Sequence, residues 1–359
     1  MEAGGDGMAR KKSSKSSKSR KKASNARKDV RSATKSQPRE THAPLPDRRS
    51  MERMWADLHA LLADQNFESV EAANEFLQGT LQQGPLPRAT PQNDLARAQD
   101  VMYDAFDARG SDRARLARKA LSISPDCADA YVLLAEEEAQ TDEEALRLYQ
   151  EGVEAGERAL GEDAFEELKG HFWGFIETRP YMRARAGLAM RLWRMGRRKE
   201  AVEHLHAMLE LNPNDNQGLR AVLCLWLLDL RRHEELQLLL DKFPEDGMLE
   251  MLWARAIWTF CTTGAGHRAR RRVREALHRN PRIMGFLLGV TPFPGQMGQY
   301  ITVGGEDEAA NTAMALIPLL NKDEETSEWL LDELEAALDA PGTGVNPHKI
   351  DIDRRQLTS

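Results

Sequence analysis

The stretch Tyr181–Pro213, YMRARAGLAMRLWRMGRRKEAVEHLHAMLELNP, decides the fold. Leu188, Ala189 and Leu192 recur at helical spacing, and Pro180 just ahead of them suits a first helical position, where its missing N–H costs nothing. Gly196 then ends the helix as a left-handed cap. Ala201, Leu205, Met208 and Leu209 share one face of a second helix, and Asn212-Pro213 stops it, because a residue before proline is pushed out of the helical region. The stretch therefore reads as two antiparallel helices joined by a tight turn.

That is the pattern of a tetratricopeptide unit, whose period is about 34 residues. Working outward, CADAYVLLAEEEAQTDEEALRLYQEGVEAGERAL, residues 127–160, repeats it. Tyr131, Leu134 and Ala135 pack in its first helix, Thr141 or Asp142 caps its second, and Ala145 and Tyr149 continue the inner face. Beyond Pro213 comes a third pair, whose apolar run Ala221–Leu230 is too short to cross a bilayer and fits a helix buried on most sides. A fourth pair, Met248–Pro281, sets Trp253, Ala256, Ile257 and Phe260 on one helix and Ala269, Val273, Ala276 and Leu277 on the next.

The flanks read differently. Residues 51–93 are a helical lead-in and linker: Met54, Trp55, Leu58, Leu61 and Leu62 form one stripe. Ser69 caps a second helix there, with Val70, Ala73, Phe76 and Leu77 inward. Residues 94–281 hold the repeats, interrupted by an aromatic-rich insertion over 161–179. Residues 282–340 form a C-terminal cap, irregular to 305 and closed by two helices, Glu306–Leu320 and Glu324–Leu338. Residues 341–359 form a flexible tail.

Charge divides the chain. Residues 1–50 carry 15 basic and 5 acidic side chains, whereas the other 309 carry 35 and 52. The arm RKKSSKSSKSRKKASNARK, Arg10–Lys28, has almost no apolar residues and cannot bury a core, so it is expected to be disordered. Two readings of it stand. Lys11, Lys12, Lys15, Lys18, Arg20, Lys21 and Lys22 either bind a polyanion such as nucleic acid or only solubilise the acidic body. No aromatic residue interleaves them, so there is no platform for stacking bases. Neither a signal peptide nor a membrane span is visible, and a cytoplasmic protein is expected. Cys127, Cys224 and Cys261 are odd in number and widely spaced, as buried free thiols would be.

Two blocks go further than generic patterning. Ala120–Glu157, above all the run AYVLLAEEEA at Ala130–Ala139, resembles the central part of the suppression-of-tumorigenicity-7 family. VREALHRNPRIMGFLLG, Val273–Gly289, and GGEDEAANTA, Gly304–Ala313, are similar to later blocks of that family. The resemblance covers roughly residues 95–335, with gaps. It implies a helical-repeat interaction protein without an established catalytic set. Animal members carry hydrophobic membrane segments and this chain shows none, so the resemblance implies a soluble relative, bacterial in origin.

No catalytic or metal motif survives inspection. His233-Glu234-Glu235 lacks the second histidine of a zincin helix, and His204 and His206 point to different helix faces. Gly264-Ala265-Gly266 lacks the strand and the Lys-Ser/Thr ending of a phosphate loop. The chain is read as a non-enzyme with no cofactor and no metal.

What remains is the surface lined by the first helix of each pair. Aligning the units on Pro213 puts Arg183, Met190, Trp193 and Arg194 there, with Asp129 and Glu136 before them and Gln217, Arg220 and Trp258 after. The arginines suit bidentate grip on carboxylates of an extended peptide, and the tryptophans suit anchors. The competing reading pairs Arg183, Arg194 and Arg220 with internal acids and makes Trp193 core. Ala186 and Met190 stand where a chaperone-tail clamp needs Lys and Asn, so that ligand is not expected. The expectation is an all-α, tetratricopeptide-like right-handed α-solenoid with helical caps. It would act as a scaffold binding a peptide or partner helix in its groove; the alternative is a nucleic-acid-associated adaptor working through the arm.

Overall fold

The computed structural model describes residues 47–338 apart from 64, 66, 85 and 296–300. The arm, with its seven candidate basic residues, and the tail from 341 lie outside the described residues. Fifteen α-helices and no strand occur among the described residues.

Five successive pairs form the body. They are α3 (Asp94–Asp107) with α4 (Ser111–Ile123), α5 (Ala128–Glu137) with α6 (Asp142–Glu167), and α7 (Arg179–Arg194) with α8 (Arg198–Leu211). α9 (Leu219–Asp229) with α10 (His233–Lys242), and α11 (Leu249–Thr263) with α12 (His267–Arg279), complete them. Within each pair the two helices pack together, and first helices also pack across pairs, α3 on α5, α5 on α7 and α9 on α11. One side of the stack is thus lined by α3, α5, α7, α9 and α11.

Local chemistry explains the turns. Thr141 accepts the Glu144 N–H as the α6 cap, and Ser69 accepts the Ala72 N–H at its own helix, as the sequence predicts. Gly196 closes α7 at φ 78°, a left-handed conformation that glycine adopts without steric cost. Asp215 also takes positive φ, 49°, and its carboxylate accepts the N–H groups of Leu219 and Arg220 at 2.8 Å each. Gly187 has a packing role: a Cβ there would lie 2.1 Å from the Tyr149 ring, so α6 and α7 meet at that contact through a hydrogen atom.

The main core runs from Val132 to Leu334 and includes Leu188, Leu205, Leu223, Trp253 and Leu316, all buried. A second cluster under α3–α5 centres on Met102, Phe106 and Leu133. The apolar run in α9 is buried on most sides, as expected. The 161–179 segment is partly helical: α6 continues to Glu167 across a break at Gly161. Phe172 then sits fully buried beside Phe165 and Tyr181, with ring centroids 5.2 and 6.1 Å away.

The flanks depart from expectation. α1 (Glu52–Ala63) does not bury its Met54–Trp55 stripe; both side chains, and Met51, are exposed. Its buried residue is Glu52. In α2 (Val70–Gln83) Val70 is also exposed rather than inward, because it is the first residue after the cap and precedes the packed face. Residues 282–305 are not wholly irregular, since α13 (Ile283–Leu287) is a short, buried helix. α14 (Glu306–Leu320) packs on α9 and α11, and α15 (Glu324–Ala336) on α11. The C-terminal helices therefore lie against the first-helix side instead of only extending the stack.

Candidate binding surface

Two segments of the chain already occupy the first-helix side. At the N-terminal end, a short turn Arg48–Met51 and α1 lie over α3 and reach α5 and α7 through charged side chains. Arg49 pairs with Glu136 at 2.8 Å and stacks 4.4 Å from the Phe106 ring centre. Arg53 pairs with Asp104 at 2.8 Å and Asp100 at 3.1 Å. Glu52 accepts from Arg183 at 2.8 Å.

Arg183 is the hub of this network. Its Nε and Nη2 donate to Asp129 at 2.8 and 2.7 Å, a bidentate pair, while Nη1 serves Glu52. Asp129 has no exposed surface and takes a third bond from Gln99 Nε2 at 2.8 Å. Burial works against the Arg183 charge, but the charges and hydrogen bonds of Asp129 and Glu52 outweigh it and hold its pKa above the ordinary value. Asp47 behaves in the complementary way. Partial burial would raise its pKa, yet the hydrogen bond and charge of Arg49, helped by Arg113, hold it well below the usual 3.8.

Further along, between α7, α9 and α14, a cleft of about 710 Å³ stays open. Trp193 and Trp226 stack in parallel at 4.3 Å on its wall, and the Arg198 guanidinium lies 5.0 Å from the Trp193 ring centre. Val222, Met248, Met314 and Pro318 supply apolar lining; Asp229, Glu250 and Lys322 supply charge. Met314 is half exposed, although it belongs to a helix that otherwise docks through Ala310, Ala313 and Leu316.

The residues singled out in the sequence separate into groups. Asp129 and Arg183 are brought together, as buried partners of each other rather than open ligands. Arg220 likewise turns inward, pairing with Asp246 and, at 3.0 Å, with Asp215. Glu136 is exposed and holds Arg49. Arg194 is mostly exposed and lies 3.2 Å from Asp142. Met190 and Trp193 are partly buried against the core, and Trp258 donates to the His233 carbonyl at 3.2 Å. Gln217 lines both the open cleft and a second opening beside Trp55 and Trp173. Sequence reasoning missed Glu52, Trp226, Arg198 and Met314. A signal existed for Trp226 alone, since α9 is read as buried and a tryptophan in it must meet a neighbour. No cluster of three or more metal-ligating side chains forms among the described residues.

The family model for ST7 protein matches residues 89–274, just over half of the chain and nearly all of the five helix pairs. The chain belongs to the ST7 family. Suppressor of tumorigenicity 7 protein-like of Rattus norvegicus is 32% identical over 162 residues, covering 44% of this chain and 29% of that protein. The Homo sapiens protein of the same name is also 32% identical, with 28% of its length covered. That of Danio rerio is 29% identical over 218 residues, 54% of this chain and 36% of its own length. The chain thus spans about a third of the curated ST7 relatives it matches. The Trp193–Trp226 wall and the Asp129–Arg183 pair fall inside the matched ST7 segment; Glu52 and Met314 fall outside it. No helix of the described residues is long and apolar enough to cross a membrane.

Proposed function

We propose that this ST7-family chain is a non-enzymatic scaffold of tetratricopeptide-like helix pairs, and that it takes an extended peptide or partner helix in the cleft between α7, α9 and α14. The observation that carries this reading is the parallel Trp193–Trp226 wall facing the half-exposed Met314. Aromatic walls and flexible methionines are what apolar anchor residues of a partner bury against. Asp229 at the cleft already holds Arg198 at 2.8 Å and Lys322 at 2.6 Å, so these charges brace the opening while the apolar wall supplies the contact. The partly buried Arg183 and Arg220 act in this reading as internal struts, because their guanidinium groups are already engaged.

Peptide display selection against the full chain tests the proposal. Selected peptides should carry apolar anchors and lose tenfold or more in affinity to Met314→Glu, whose exposed position spares the fold. Failure to enrich any peptide, or enriched peptides indifferent to Met314→Glu, would refute it. A second reading, a nucleic-acid-associated adaptor, is supported by the charge division of 15 basic against 5 acidic side chains in residues 1–50. Binding through that arm would weaken steeply with salt. We place the protein in the cytoplasm, a reading supported by its three unpaired cysteines.

A further inference from the structure

The strongest charged feature of the folded body is α12, HRARRRVREALHR. It holds six arginines against one glutamate, in a body where acidic residues outnumber basic ones 52 to 35. Ala269, Val273, Ala276 and Leu277 are buried and fix which face turns outward. That outward face carries Arg268, Arg271 and Arg274, all exposed, flanked by His267 and His278. Positions 267, 271, 274 and 278 form one stripe about 16 Å long.

Several arginines of the helix are already engaged. Arg270 pairs with Glu333 at 3.0 Å, Arg272 with Glu275 at 2.7 Å, and Arg279 with Glu308 at 3.3 Å. Arg271 lies 3.4 Å from the Glu275 it shares with Arg272. Arg268 and Arg274 have no carboxylate partner among the described residues; Arg274 only donates to the Arg270 carbonyl at 3.4 Å. Positive charge is crowded here: burial and then Arg272 lower the pKa of the neighbouring Arg255. A cationic stripe with one acid on it is an incomplete electrostatic arrangement.

We propose that the outer face of α12 docks the phosphate backbone of a nucleic-acid duplex through Arg268, Arg271 and Arg274. A backbone strand carries about one charge per 3.4 Å, and Arg268 to Arg274 span about 9 Å of helix, so the three arginines face about three phosphates. Guanidinium groups match phosphate oxygens bidentately. A membrane surface fits less well, because the apolar side chains that a surface-lying helix would insert are those already buried. A protein partner fits less well too, since the stripe lacks the apolar centre on which protein interfaces depend. The acidic remainder of the body confines a polyanion to this face. Phosphate contacts give affinity and position without reading sequence.

The test is fluorescence anisotropy of mixed-sequence DNA and RNA duplexes of about 20 base pairs with the full chain. Three variants run alongside: Arg268→Glu/Arg271→Glu/Arg274→Glu, the same positions changed to Lys, and Lys11→Gln/Lys12→Gln/Lys15→Gln/Lys18→Gln. The glutamate variant should bind at least tenfold more weakly at about 0.1 M salt, with the salt slope smaller by about three, while the lysine variant stays close to the parent. Unchanged circular dichroism verifies folding, as these side chains are exposed. The proposal is overturned if the glutamate variant binds like the parent, or if loss is confined to the arm variant. It is equally overturned if phosphatidylserine vesicles, and not duplexes, capture the chain.

Discussion

Two segments close over the same side of the stack by different forces. α1 is tied down by charge: Glu52 to Arg183, Arg53 to Asp104 and Arg49 to Glu136, while Met51, Met54 and Trp55 face solvent. α14 and α15 are tied down mainly by apolar burial, with Ala310, Ala313, Leu316, Leu330 and Leu334 in the main core and Trp329 stacked 4.1 Å from Phe260, and ion pairs of Arg279 with Glu308 and Arg270 with Glu333 stand at its edge. The first kind of attachment depends on geometry, pH and salt. The second depends chiefly on area removed from water and responds less to both. One molecule thus holds a closure made mostly of charge at one end and one made mostly of burial at the other.

The contrast is broken most severely at Arg183, where the charged closure is rooted in the body. Arg183→Ala leaves the Asp129 carboxylate buried without a counter-charge and should cost about 3–5 kcal/mol in urea unfolding. Adding Asp129→Asn should return at least half of that loss. At the other end, Trp329→Ala should cost about 3 kcal/mol, through lost burial and stacking. That loss should be nearly insensitive to salt; strong salt dependence would mean that the Arg270–Glu333 pair outweighs burial in holding α15. Glu52→Gln is the sharper probe of α1. It should cost about 2 kcal/mol locally, read as faster amide exchange over residues 52–63 with little change over 306–336.

Acid gives a smaller effect with a definite sign. The folded pKa of Asp47 is depressed, so its contribution is complete above the free-carboxylate value of 3.8 and is lost as the pH falls through the lowered one. Exchange over residues 47–63 should therefore accelerate between about pH 4 and about pH 2, ahead of the Leu316–Leu334 region. Salt gives the smallest effect. Raising NaCl to about 0.5 M should loosen α1 by under about 1 kcal/mol and α14 by less.

The same contrast shows what the sequence made legible. The α7–α8 pair follows from apolar spacing and Gly196, because a helix held by aliphatic burial writes its packed face into its periodicity. α1 misleads for the opposite reason. Its Met54–Trp55 stripe has the spacing of a core face, but the side that docks is marked by Glu52, whose arginine partners lie 127 and 131 residues away. Periodicity carries no information about such distant ion pairs. The groove arginines were half legible. The register that aligned Arg183 with Asp129 in the preceding unit already made them neighbours, and two neighbouring opposite charges satisfy each other before they serve a ligand. The seating of α14 on α9 and α11 had no local signal, since it depends on how the last turns redirect the chain. Met314, and with it the cleft, stayed out of view until that seating was known.

The three unpaired thiols turn this layered packing into chemical reactivity. Cys261 is exposed, whereas Cys127, at the start of α5, and Cys224, within α9, have no accessible surface. Burial, with the Asp129 charge added, pushes the Cys127 thiol up to about 12, and burial raises Cys224 and Cys261 as well. What separates them is access: a reagent can reach Cys261 in the native state, while the other two wait for the chain to open. Their labelling rates therefore act as two clocks, one timing the α4–α5 junction and the other the centre of the stack.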